Sequence, residues 1–185
     1  ALLGAWLVMR FANGMNAFDR AADAFKFAIL AGLASTTVSA TFGVTSLALG
    51  SVARASDVVG PMWVTWWLGD LGGSLLLAPA LILWSRGGPA WSPARAAEAA
   101  ALLLSLVALA WVVFGGILPA GLGGFPVAFV CLPPLIWAAF RFDQRMAAAA
   151  SLTLATVAVW GTVRAERLPE AENLNLLLLQ VFLGV

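Results

Sequence analysis

Histidine is absent from this sequence, and lysine and cysteine each occur once, as Lys26 and Cys131. Without an imidazole there is no His-type metal ligand, no His-dependent serine protease centre of the rhomboid kind and no phosphoacceptor histidine within these residues. Lys26 stands at a helix entrance, the wrong depth for a retinal Schiff base in mid-membrane. Cys131 lies in an apolar run with no second cysteine to pair with, so the redox compartment cannot be read from it. Charge is scarce as well. Only 10% of the residues are charged and the net charge is +1, which excludes a polybasic nucleic-acid binder.

Apolar surface is what the chain has in abundance. It is 62% hydrophobic with a mean hydropathy of +0.96, against about 45–50% apolar and 25% charged residues in a soluble domain. The apolar runs recur from end to end, which a signal peptide does not explain. The expected fold class is therefore all-α, a polytopic transmembrane helix bundle. At roughly 20 residues per crossing, the runs fall at 25–50, 61–84, 96–118, 125–140 and 146–163, with the tail of a helix at 1–11 and the start of another at 174–185. That gives five complete spans and two partial ones. Because residue 1 is Ala and both ends fall inside apolar runs, residues 1–185 are expected to be one integral membrane domain truncated at both ends.

Lys and Arg sort unevenly between alternating loops. Seven lie on the side of Arg10, Arg20, Lys26, Arg86, Arg95, Arg141 and Arg145, and three on the side of Arg54, Arg164 and Arg167. The positive-inside rule puts the first set in the cytoplasm, so the last helix runs inward.

The stretch 61–84, PMWVTWWLGDLGGSLLLAPALILW, has one charge, Asp70. Counting about 1.5 Å per residue from Pro61 places Asp70 roughly 14 Å deep. An ionisable group at that depth marks a functional or packing site by default. Trp66 and Trp67 lie one turn earlier and Trp63 two turns earlier, on or beside the same face. Gly69 and Gly73 form a small-xxx-small pair suited to close approach by a neighbouring helix. Pro79 should kink this helix.

The same stretch resembles the signature helix of the membrane-associated sensor domain of the first type, in the MASE group. LLGAWLVMRF, SATFGVTSLALG, PPLIWAAFRFDQRMAAAA and LNLLLLQVFLGV agree with that family in order and spacing. Asp143 stands where the family typically has Gly. Against the family's usual roughly eight-helix domain, the first spans are expected to be missing from these residues. The resemblance implies a bacterial inner-membrane input module, non-enzymatic itself, ahead of a cytoplasmic diguanylate cyclase, phosphodiesterase or histidine kinase in the same polypeptide. No cofactor is implied. The implied partners are the lipid bilayer, that output module, a small-molecule or protein signal of unspecified identity and, as an option, a second copy in a homodimer.

Each singled-out residue has a plain reading beside the functional one. Asp70 is either a structural acceptor, hydrogen-bonded to the hydroxyl-rich centre of the preceding span at Thr37 and Ser39, or a group that titrates or meets the signal. Trp63 fits an interfacial belt, whereas one of Trp66 and Trp67 is expected to line the interior. Arg141 is expected to anchor the cytoplasmic end, with Trp137 one turn earlier placed to stack on its guanidinium. Glu98 reads as a snorkelling helix entrance. Pro133 and Pro134 interrupt their short span near its middle, as a hinge or as a fixed bend. A transporter or channel fragment competes with the sensor reading, but no internal repeat or second mid-membrane charge supports it. An aspartyl protease would need a second mid-span aspartate, which the sequence lacks.

Overall fold

The computed structural model describes residues 2–50, 56–87, 91–115 and 128–165. Within them the chain is helical. The helices are α1 (Leu2–Phe11), α2 (Ala21–Leu49), α3 (Ser56–Ser85), α4 (Pro93–Phe114), α5 (Leu132–Arg141) and α6 (Gln144–Ala165). No strand occurs among the described residues. Helices α2, α3, α4 and α6 are long and apolar enough to cross a membrane, and α1 and α5 are shorter apolar helices. The sequence reading of five complete spans thus meets four among the described residues. The segment expected at 125–140 is described only as a 3-10 turn, Phe129–Cys131, running into α5. The helix expected at 174–185 lies outside the described residues.

The described chain forms two compact units, one up to Pro79 and one from Ala80 onward. In the first, α1 packs on α2. The tight turn between them needs left-handed backbone at Asn13 (φ 63°) and Gly14 (φ 55°). Gly4 of α1 lies so close to Ser35 that a Cβ there would sit 2.8 Å from the Ser35 hydroxyl oxygen. Val8, Phe27, Ala40 and Val44 form the apolar interior of this unit. Asp23 is buried beside them and is matched by Lys26 Nζ at 2.8 Å.

Helix α2 is not uniform. Ala28–Ala34 is wound as a π-helix, between α-helical Ala21–Phe27 and Ser35–Leu49. Thr36, just past it, bonds its hydroxyl to the carbonyls of Gly32 and Leu33. Such back-bonding occupies a buried hydroxyl locally.

Helix α3 begins at Ser56, more than a turn before Pro61, so Pro61 stands inside the helix and not in its first turn. Pro79 is interior as well. Each proline removes one i to i−4 hydrogen bond. Of the residues 59–85 only Ala80 and Leu83 are buried.

In the second unit α4, α5 and α6 share one core. Ala99, Leu102, Leu106 and Ala110 recur along one stripe of α4 and meet Met146, Ala150 and Leu154 of α6. Leu106 and Met146 are among the largest fully buried side chains. The two helices come close at Gly161, where a Cβ would lie 2.7 Å from the carbonyl oxygen of Phe114. Trp111 and Trp160 pack beside this point, with ring centroids 5.1 Å apart. Ser92 caps α4, its hydroxyl accepting from the Arg95 N–H, with Pro93 at the first helical position.

Candidate functional sites

Two sites emerge, one in each unit. The first lies where α3 meets α2. Trp63 and Trp67 stack with centroids 5.8 Å apart and planes 13° from parallel. The Trp63 indole N–H donates to the Thr41 hydroxyl at 3.1 Å. Trp66 lies over Gly43, where a Cβ would be 2.7 Å from its Cζ2. Further along, Gly32 faces Leu71 and Leu75, which a Cβ would meet at 3.2 and 3.1 Å. From 32–75 to 41–63 the partner number falls as the other rises, so α2 and α3 run antiparallel.

Two polar groups in this first site lack partners. Trp67 Nε1 is buried and has no acceptor among the described residues. Asp70, half-buried and one turn further on, has no hydrogen-bond or ion-pair partner among them. The expected bond from Asp70 to the hydroxyl-rich centre of α2 is not formed. Thr37 donates to its own Leu33 carbonyl at 2.8 Å, and Ser39 makes no hydrogen bond to Asp70 among the described residues. The close-packing expectation moves too. A Cβ at Gly73 would meet no described heavy atom within 4 Å, and Gly69 is exposed. The glycines that receive side chains across this contact are Gly32 and Gly43, on α2, which take Leu71 with Leu75 and Trp66.

The second site is a cleft of about 440 Å³ between α4 and α5, lined by Glu98, Leu102, Ser105, Pro133, Pro134 and Trp137. Pro133 and Pro134 sit in the first turn of α5 and not in mid-helix. There their missing N–H groups cost no helical bond, and the 3-10 turn before them joins α5 directly. The Arg141 guanidinium holds the Glu98 carboxylate at the rim in a two-point pair, Nε to Oε1 at 2.8 Å and Nη2 to Oε2 at 3.0 Å. Arg141 therefore bridges helices, and the expected stack on Trp137 gives way to this bond. Trp137 remains 60% exposed along the cleft wall.

The RFDQR run beyond α5 completes this end of the unit. Arg95 donates to the Arg141 carbonyl at 3.4 Å and lies 5.7 Å from the Phe142 ring centroid. Trp91 packs on the same ring at 5.9 Å. Asp143 caps α6 by accepting from the Met146 N–H at 3.0 Å, and pairs with Arg145 at 2.9 Å. Burial raises the Asp143 carboxyl pKa. The Arg145 and Met146 hydrogen bonds, with the charges of Arg145 and Arg95, outweigh that and hold it below its ordinary value. Arg145 also lies over Trp84, whose indole N–H donates to the Arg145 carbonyl at 3.2 Å.

A WW-x-x-D helix over a hydroxyl-rich partner, followed by a W-x-x-x-RF-x-x-R corner, is the arrangement a family assignment has to account for. The MASE1 family model matches residues 1–185. The chain belongs to the MASE1 family of membrane-associated sensor domains. Comparison with curated proteins and with solved structures finds no match. As a MASE1 domain the chain is a sensory, non-catalytic module of signalling proteins, and its apolar helices make it multi-pass in the membrane. Among the described residues no group of three or more His, Cys, Asp or Glu is placed to hold a metal ion.

Sequence reasoning missed Glu98 as a site residue. The available signal was the cost of an isolated charge on an apolar helix, which calls for a partner of opposite sign at the same membrane level. Arg141 was the group to test against it.

Proposed function

We propose that this MASE1 domain is a bacterial inner-membrane input module that biases a cytoplasmic output module in the same polypeptide. The output would be a diguanylate cyclase, phosphodiesterase or histidine kinase, with the chain leaving the membrane on the cytoplasmic side. The seven-to-three Lys and Arg asymmetry supports that orientation.

The observation carrying the reading is the pairing of unmet polar groups on α3. Trp67 offers a buried N–H without an acceptor, and Asp70, three residues on, offers a carboxylate without a donor. An unpaired polar group away from water costs about 1–3 kcal/mol. A signal that supplies the missing partner in one conformation, and not in the other, shifts the equilibrium between them by that difference. Asp70 with Trp67 is thus the proposed sensing pair, flanked by Trp63 and Trp66.

Asp70→Asn in the full-length protein tests this. The amide keeps the size and hydrogen-bonding ability of the carboxylate and removes its charge and titratable proton. The variant should insert normally at wild-type abundance, while output per molecule stays locked in one state across two growth conditions that separate the wild type. A wild-type response at equal expression would return Asp70 to a purely structural role.

A further inference from the structure

The charged corner of the second unit carries an inference that does not depend on Asp70. Arg141 is neutralised by Glu98, and Arg145 by Asp143. Arg95 has no carboxylate within ion-pair distance among the described residues, yet it is held in place. Its guanidinium rests over Phe142, and one Nη2 N–H reaches the Arg141 carbonyl. A fixed guanidinium with unused N–H groups suits a planar or tetrahedral oxyanion. Arg141 adds to it, because only its Nε and Nη2 face Glu98.

From Arg141 a groove of about 440 Å³ runs along one face of α5, past Phe140, Trp137 and Ile136 to Pro133. These positions recur at three- and four-residue spacing, so they form a single apolar strip. The strip is open. Phe140 is 88% exposed and Ile136 53%.

We propose that this face binds an anionic membrane phospholipid, its phosphate on Arg95 and Arg141 and one acyl chain along Pro133, Ile136, Trp137 and Phe140. Charge complementarity selects the occupant. Arg95, Arg141 and Arg145 outnumber Glu98 and Asp143 at this corner, and an apolar helix would cover the strip without answering the excess positive charge. A soluble phosphate would meet Arg95 and leave the strip open. An anionic lipid satisfies both, because its charge and its chain belong to one molecule and Arg141 stands at the end of the strip, with Arg95 bonded to its carbonyl.

The test uses the purified full-length protein and native mass spectrometry. Phosphatidylglycerol, phosphatidylcholine and glycerol 3-phosphate are titrated separately. Phosphatidylglycerol should be retained in preference to phosphatidylcholine, and glycerol 3-phosphate should bind far more weakly. Arg95→Gln should lower phosphatidylglycerol retention about tenfold, the size of one charge-assisted contact. The Glu98–Arg141 pair is left intact in that variant, so it should still fold in phosphatidylcholine nanodiscs, with a melting shift no larger than the loss of the Arg141 carbonyl bond and the Phe142 contact accounts for. Phe140→Ser probes the chain half and should weaken lipid retention without altering glycerol 3-phosphate binding. Equal retention of the two lipids by the parent, or of phosphatidylglycerol by Arg95→Gln and the parent, overturns the proposal. Glycerol 3-phosphate binding as tight as the lipid's would make this a soluble-anion site and overturn it as well. Failure here leaves the Asp70 reading standing, since the two rest on different helices and different readouts.

Discussion

Arg141 on α5 grips Glu98 on α4 through two parallel bonds across 43 residues of sequence, and this is the polar clamp between those helices. The geometry is bidentate, which sets it apart from a chance surface pair. Glu98→Gln and Arg141→Gln should each lower the melting temperature of the domain in detergent. The double variant should be less destabilised than the two single losses added together. Strict additivity in that cycle would mean that the two side chains do not act on one another.

Gly43 and Gly73 make a matched pair of tests. Gly43→Leu drives a side chain into the Trp66 ring and should cost about 1–3 kcal/mol, the usual range for overpacking. Gly73→Leu enters open space among the described residues and should fall within about 0.5 kcal/mol of the parent. Thermal melts of both variants, run side by side, decide whether α2 or α3 supplies the close contact.

Asp143 predicts a pH dependence. Its carboxyl is held below its ordinary value in the folded chain. Its contribution is therefore complete above the ordinary aspartate range and is lost as pH falls through the lowered folded value. Asp143→Ala removes the cap of α6 and should cost about 0.5–2 kcal/mol near neutral pH. Asp143→Asn keeps a capping oxygen and loses the charge, so its gap to the parent should close on acidification below that range. Melting temperatures compared across acidic buffers give the answer, and a gap that stays constant through the acid limb would contradict the assignment.

The helices were legible because the membrane demands long apolar runs. Those at 25–50, 61–84 and 146–163 appear with ends shifted by a few residues. The apolar run starts at Pro61, a residue that suits a first turn, whereas α3 starts at Ser56. Nothing in the sequence marks the extra turn from Ser56 that accommodates it. The corner at Arg141 could be read only in part. A tryptophan, two arginines and a phenylalanine pointed to it, but Glu98 comes from another helix and required knowledge of which helices touch. Asp143 was noticed only as a departure from the family pattern. The structure makes it the cap of α6. Small-xxx-small spacing at Gly69 and Gly73 says that a helix can be approached closely, not that a neighbour does so, and among the described residues none comes within 4 Å of a Cβ at Gly73.

The π-wound stretch of α2, Ala28–Ala34, resets which residues share a face on that helix. A π turn closes one residue later than an α turn, so each of its residues advances the helix by less than the usual 100° or so. Over Ala28–Ala34 the lag adds up to roughly one residue. The half that carries Thr41 and Gly43 is therefore out of angular phase with the half that carries Asp23 and Phe27. A ruler of 3.6 residues per turn, laid from one end of α2 to the other, lands on the wrong side. That offset is also a mechanical setting. Rewinding the seven residues as ordinary α-helix would turn the distal half by about 100° and swing Thr41 and Gly43 out from beneath Trp63 and Trp66. The contact between α2 and the tryptophans of α3 is thus clocked by a segment a full turn or more away from it.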